Sequence, residues 1–162
     1  MAKPPEVGNA APDFTLPSVR VTAGIAKRSE ATLSAQRGHP VVLAFYPGDD
    51  TPVCTRQMCA YTSELAQFTD LDAVVWGISP QDLRSHEEFA RRNALGFPLL
   101  ADVGKQVIEA YGLSMIGIGV RRSVFVVDAD GVVRWRYVST IGLRYPEAST
   151  IAAQVVAARV PA

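Results

Sequence analysis

Val41-Val42-Leu43-Ala44-Phe45-Tyr46 is an unbroken apolar run, and it stops at Pro47-Gly48-Asp49-Asp50. A strand with one wet face alternates apolar and polar side chains, so a run without alternation must be covered on both faces. This requirement excludes a one-sided sheet and asks for helices above and below. Pro-Gly-Asp-Asp then turns the chain. Thr51 can cap a following helix, Pro52 fits its first position with φ already set, and Met58, Tyr61, Leu65 and Phe68 recur at helical spacing. Cys54 falls in the first turn of that helix.

The same reading gives a buried strand at 73–79, a helix at 82–93, a strand at 98–101 and a short helix at 104–111. Strands at 123–127 and 132–138 flank Asp128-Ala129-Asp130-Gly131 and should pair as an antiparallel hairpin. A last helix covers 147–159, and the polar stretch 19–30 reads as a long hairpin or loop. Strand and helix alternate through the middle, which indicates an α/β fold with a central mixed sheet flanked by helices. With 162 residues the chain is expected to form one domain, 1–162, with the Pro-containing residues 1–10 as a flexible tail.

No segment approaches the roughly 18–20 apolar residues of a membrane span, and the N-terminus lacks a signal-peptide core, so a cytoplasmic protein is expected. Lys plus Arg total 16 and Asp plus Glu total 16. Without a basic excess, neither nucleic acid nor membrane is an expected partner.

The chain has two cysteines, Cys54 and Cys59. Only the thiolate is strongly nucleophilic, and the place predicted for Cys54 favours it, because unpaired N–H groups and the positive end of the helix dipole surround the first turn. Its pKa should therefore be depressed. The plainer alternative is a small buried hydrophobe. Cys59 lies five residues on, which on an intact helix puts the Cα atoms about 8–9 Å apart and about 140° around the axis. A disulfide needs less than about 7 Å, so any Cys54–Cys59 bridge requires the first turns to unwind. Alternatively, Cys59 simply packs beside Met58 and Tyr61. This C-x4-C spacing fits a disulfide oxidoreductase poorly and favours a sulfenic acid resolved by a nearby thiol. Zinc would need four ligands, and the remaining candidates, His39 before a strand and His86 in a later helix, read as a loop residue and a solvated helix residue.

Phe45 to Cys54, read as Phe-Tyr-Pro-Gly-Asp-Asp-Thr-Pro-Val-Cys, resembles the Pro-x-x-x-Thr-x-x-Cys motif of peroxiredoxins. The second cysteine five positions later resembles the PrxQ, or bacterioferritin-comigratory-protein, subfamily. The resemblance continues through Ala11-Pro12-Asp13-Phe14, Phe97 to Asp102, Ala110-Tyr111-Gly112 and Phe125 to Asp128. It implies a thioredoxin-like fold with peroxiredoxin additions. It also implies that Cys54 attacks peroxide, Cys59 resolves the product as an intramolecular disulfide, Pro47 shields the thiolate and Thr51 hydrogen-bonds it. The family's arginine, six residues before the Asp that ends the later strand, corresponds to Arg122; Arg121 should face the other way.

Two positions depart from the pattern: Val53 stands where the subfamily usually has Gly, and Gln57 where an acidic residue is common. The implied partners are a hydroperoxide substrate and thioredoxin or a similar dithiol, with no metal or organic cofactor, in a monomer or weak homodimer. Two other readings remain: a thiol-disulfide oxidoreductase on the same fold, or a non-catalytic binding or chaperone-like domain suggested by the apolar stretch 115–119, itself more simply a loop near the active site or a subunit contact.

Overall fold

The computed structural model describes residues 2–115, 119–139 and 143–159. The strands are β1 (Thr15–Thr22), β2 (Ile25–Thr32), β3 (Val41–Phe45), β4 (Val74–Ser79), β5 (Leu99–Ala101), β6 (Ser114–Met115), β7 (Gly119–Val120), β8 (Ser123–Val127) and β9 (Val133–Val138). The α-helices are α1 (Pro52–Ser63), α2 (Leu65–Asp70), α3 (Leu83–Asn93), α4 (Gln106–Ala110) and α5 (Ala148–Ala158). Seven strands form one sheet in the order β2-β1-β5-β4-β3-β8-β9, with β3, β4 and β5 parallel and the remaining pairs antiparallel. Among the described residues no helix is long and apolar enough to cross a membrane.

The apolar run that opens the sequence reading behaves as its pattern demands. Val42, Ala44 and Tyr46 join one core cluster with Met58, Phe68, Phe89 and Ile151 from the helices, while Val41, Leu43 and Phe45 join a second with Phe14, Ile108 and Tyr111. Successive side chains leave a strand on opposite faces, so each half of the run anchors a different layer. Full burial of an aromatic such as Phe45 is worth about 1.5–3 kcal/mol. The central strand is thereby pinned from both sides, and the loop that leaves its C-terminal end starts from a fixed point.

The 19–30 segment is the greater part of the β1–β2 hairpin, paired in register from Thr15↔Thr32 to Thr22↔Ile25. The single helix expected through Phe68 is interrupted at Glu64, where α1 ends and α2 begins. Glu64 has φ −104° and ψ 13°, off the helical values, and although its N–H still reaches Ala60 O, Ser63 Oγ donates to the same carbonyl.

The N-terminal segment expected as a flexible tail is fastened instead along β9. Gly8 N donates to Val133 O, Val133 N to Asn9 O, Ala10 bridges Val132, and Arg136 Nη1 donates to the carbonyls of Pro4 and Pro5. Prolines and a glycine conceal an extended strand partner, because the edge of β9 supplies the hydrogen bonds. The apolar stretch 115–119 runs through 116–118, which lie outside the described residues.

Candidate active site

The strand–turn–helix unit brings the sequence-marked residues to the C-terminal end of β3. Thr51 is the N-cap of α1 with extended backbone, and Pro52 starts the helix. The first intrahelical bond runs from Thr55 N to Thr51 O, so the N–H of Cys54 belongs to the first turn, ahead of the helical ladder. Cys54 has no exposed surface.

Arg122, just ahead of β8, is only 2% exposed and its Nη2 lies 3.2 Å from Cys54 Sγ. Strand β8 pairs antiparallel to β3, with Ser123 opposite Phe45, which carries the arginine to the strand end from which α1 departs. The second arm of the guanidinium, Nη1, donates to Gln57 Oε1. Gln57 in turn donates from Nε2 to Tyr61 Oη at 3.2 Å, and Tyr61 donates to Pro146 O at 2.7 Å. Burial pushes the Tyr61 hydroxyl well above the usual range for a phenol, which keeps it a donor. Arg121 takes a different direction, as alternation requires, and donates to Ser139 O at 3.2 Å.

The other sequence candidates are placed less directly. The Thr51 hydroxyl donates to Gly48 O at 3.3 Å, so it neither caps the helix nor bonds the sulfur here. Pro47 is half-buried in the loop between β3 and α1. Cys59 is half-buried on α1, its sulfur 3.9 Å from Asn93 Oδ1 on α3. Both cysteines are free thiols within one helix.

His86 corrects the sequence reading. Its side chain is fully buried rather than solvated, with Nδ1 2.8 Å from Asp49 Oδ2 and Nε2 3.0 Å from Leu100 O. Asp49 also accepts from Tyr46 Oη and from Ser85 Oγ, each at 2.7 Å. Burial first, and the neighbouring Asp49 charge second, hold the Tyr46 hydroxyl well above its ordinary range, so it stays protonated and donates. A signal for His86 was present: it shares the buried helix face with Phe89 and Ala90 at i+3 and i+4. His39 meets Asp72 at 2.8 Å on the surface, so each histidine is engaged by its own carboxylate.

Gln57 is the second residue whose role the sequence hid. A carboxamide on α1 gave no sign that it would be fully buried as the anchor of Arg122, because that contact exists only once β8 lies against β3.

Comparison with known proteins identifies the family. Residues 7–136 match the AhpC/TSA family. A chloroplastic peroxiredoxin Q of Oryza sativa subsp. japonica is 41% identical over 132 residues, which cover 80% of this chain and 58% of that protein. The chain thus spans a little over half the length of this relative. A bcp peroxiredoxin of Coxiella burnetii is 35% identical over 79% of this chain and 85% of its own. The crystal structure of the peroxidoxin BcpB from Mycobacterium tuberculosis superposes with a TM-score of 0.79 at 30% identity, covering 96% of this chain and 99% of that one. The α/β architecture is that of the thioredoxin-like peroxiredoxins, and the chain belongs to the AhpC/TSA family, similar to its peroxiredoxin Q and bcp members.

Proposed function

We propose that the chain is a thiol-dependent peroxidase that reduces hydrogen peroxide and organic hydroperoxides at Cys54. The observation that carries this reading is the buried Arg122 guanidinium 3.2 Å from Cys54 Sγ, at the first turn of a helix. A fixed positive charge and the N–H groups of a helix's first turn can receive the charge that develops on the peroxide oxygens. Family membership supports the same chemistry.

The thiolate attacks one peroxide oxygen; the S–O bond forms as the O–O bond breaks, and water or an alcohol leaves with one added proton. Cys54 is then a sulfenic acid. The Cys59 thiol displaces its hydroxyl, which leaves as water, and an intramolecular disulfide remains. Thioredoxin or a similar dithiol reduces that disulfide and is itself oxidised. Pro47 shields the sulfur, and the Thr51 hydroxyl, now 3.3 Å from Gly48 O, turns toward the peroxide once it binds.

Stopped-flow mixing of the reduced protein with hydrogen peroxide, followed by Trp76 and Trp135 fluorescence and mass spectrometry, tests the reading. A fast phase ending in a Cys54–Cys59 disulfide is expected, with Cys54→Ser inert. Turnover by that variant, or unreacted thiols in the wild type, would refute the assignment. Cys59→Ser should consume one equivalent of peroxide and then stall with thioredoxin.

A further inference from the structure

The proposed reaction makes opposed demands on one helical turn. Attack needs Cys54 held against Arg122, whereas resolution needs the turn to open, because residues five apart on a helix are too distant for a disulfide. A feature that fixes the loop leading into α1 would set the balance between the two steps.

Asp49 lies in that loop, and its side chain has no exposed surface. Its carboxylate gathers three partners from other elements or from the strand end: Tyr46 Oη at 2.7 Å, Ser85 Oγ at 2.7 Å and His86 Nδ1 at 2.8 Å. His86 Nε2 faces Leu100 O at 3.0 Å, and a carbonyl can only accept, so Nε2 carries a hydrogen. A second hydrogen must lie between Nδ1 and Oδ2, whichever atom owns it. The imidazole therefore spans from the loop to β5, with α3 as its base. The backbone N–H of Asp49 donates to Gln81 Oε1, adding another tie. None of these groups is used by the thiol chemistry.

We propose that the Asp49–His86 pair is a clasp: a positioning device that holds the loop 47–51 and the first turn of α1 in the attack geometry and so limits how fast that turn opens for Cys59. This inference rests on the peroxidase reading above. Opening must withdraw the buried Asp49 side chain from its three hydrogen-bond partners and leave those buried polar groups unsatisfied. By contrast, the neighbouring Asp50–Arg92 pair is 47% and 60% exposed, and it contributes little to the restraint.

Two substitutions at one position separate the contacts. Asn at 86 can place its amide N near the original Nδ1 and keep the bond to Asp49, whereas Gln reaches the Nε2 position and keeps only the bond to Leu100 O. In stopped-flow with hydrogen peroxide, His86→Gln should raise the first-order rate of disulfide formation roughly tenfold while slowing the second-order attack. His86→Asn should retain both rates. Ser85→Ala, which removes one hydroxyl from a half-buried position, should shift both in the His86→Gln sense by roughly threefold, and it carries the test if His86 variants do not fold. Ile108→Val, in the core on the other face of the sheet, is the stability control and should leave the ratio of the two rates at the wild-type value.

Opposite movement of the two rates in His86→Gln and Ser85→Ala supports the clasp. If both rates stay at wild-type values, or fall together in the clasp variants, the clasp is overturned while the peroxidase reading stands. Wild-type protein whose thiols survive peroxide overturns both.

Discussion

Strand β8 carries a charged residue at each end, and the two ends use charge differently. At one end Arg122 is 2% exposed and divides its guanidinium between the Cys54 sulfur and the neutral carboxamide of Gln57. At the other end Asp128 is 6% exposed and closes its charge within a single turn, accepting from Asp130 N and Val132 N at 2.9 Å and from Arg134 Nε at 2.6 Å. Burial opposes ionisation of Asp128, but Arg134 and the two N–H groups outweigh it, and the carboxyl lies below its usual range. The Asp128 end spends its charge on architecture. The Arg122 end turns its charge onto the Cys54 sulfur, and in the proposed reaction that orientation is what makes it a site.

The largest effect should come from breaking the Arg122 end. Arg122→Met is expected to lower the second-order rate with peroxide by on the order of 10² to 10³, read by stopped-flow, with far-UV circular dichroism unchanged. Gln57→Leu tests whether the anchor matters apart from the charge: it keeps the arginine but removes its acceptor and the donor to Tyr61. About a tenfold loss of peroxide rate and about 1–3 kcal/mol of stability are expected. An unchanged rate would show that Arg122 holds its direction without Gln57.

At the Asp128 end the expected outcome is reversed, with stability lost and chemistry kept. Asp128→Asn should cost about 1–2 kcal/mol at neutral pH in urea unfolding and leave the peroxide rate alone. Because the folded-state pKa is depressed, the wild-type carboxylate contributes fully above the ordinary value of 3.8, and that contribution is lost as pH falls through the folded value. The stability gap between wild type and variant should therefore narrow in acid. The smallest change belongs to neither end. Ala94 caps α3 with φ 50° and ψ 45°, a left-handed conformation that glycine adopts without strain, so Ala94→Gly should gain about 0.5 kcal/mol in the same urea experiment.

Much of this contrast is legible in the chain. The unbroken run at 41–46 announces a strand covered on both faces, and the Thr51-Pro52 start places Cys54 in a first turn. Arg122 is marked only by the family resemblance, counted six residues back from Asp128; on its own it reads as a solvated strand-end charge, whereas its Nη2 lies 3.2 Å from Cys54 Sγ. Asp49, His86 and Gln57 were opaque for a common reason. A polar side chain reads as solvated until its partner is known, and the partner of Asp49 is a histidine on α3 that becomes adjacent only when the sheet assembles. The N-terminal segment misled in the same way, since nothing in Pro4, Pro5 or Gly8 indicates that β9 will offer its edge.

The strand order also has a temporal consequence. Strand β3, made early, pairs with β4 and β8, and its pairing with β8 joins Val41 to Val127. The β1–β2 hairpin closes locally but meets the rest of the sheet only at Ser18↔Leu100 and Val19↔Leu99. During synthesis this hairpin can therefore zip on its own yet must wait for residues near 100 before it docks, and Cys54 waits longer still for Arg122. Such long-range closures slow folding. Pulse-labelled hydrogen exchange should accordingly find the β1–β2 amides protected before those of β8, leaving a nascent chain that holds both cysteines but not yet the guanidinium that meets the Cys54 sulfur.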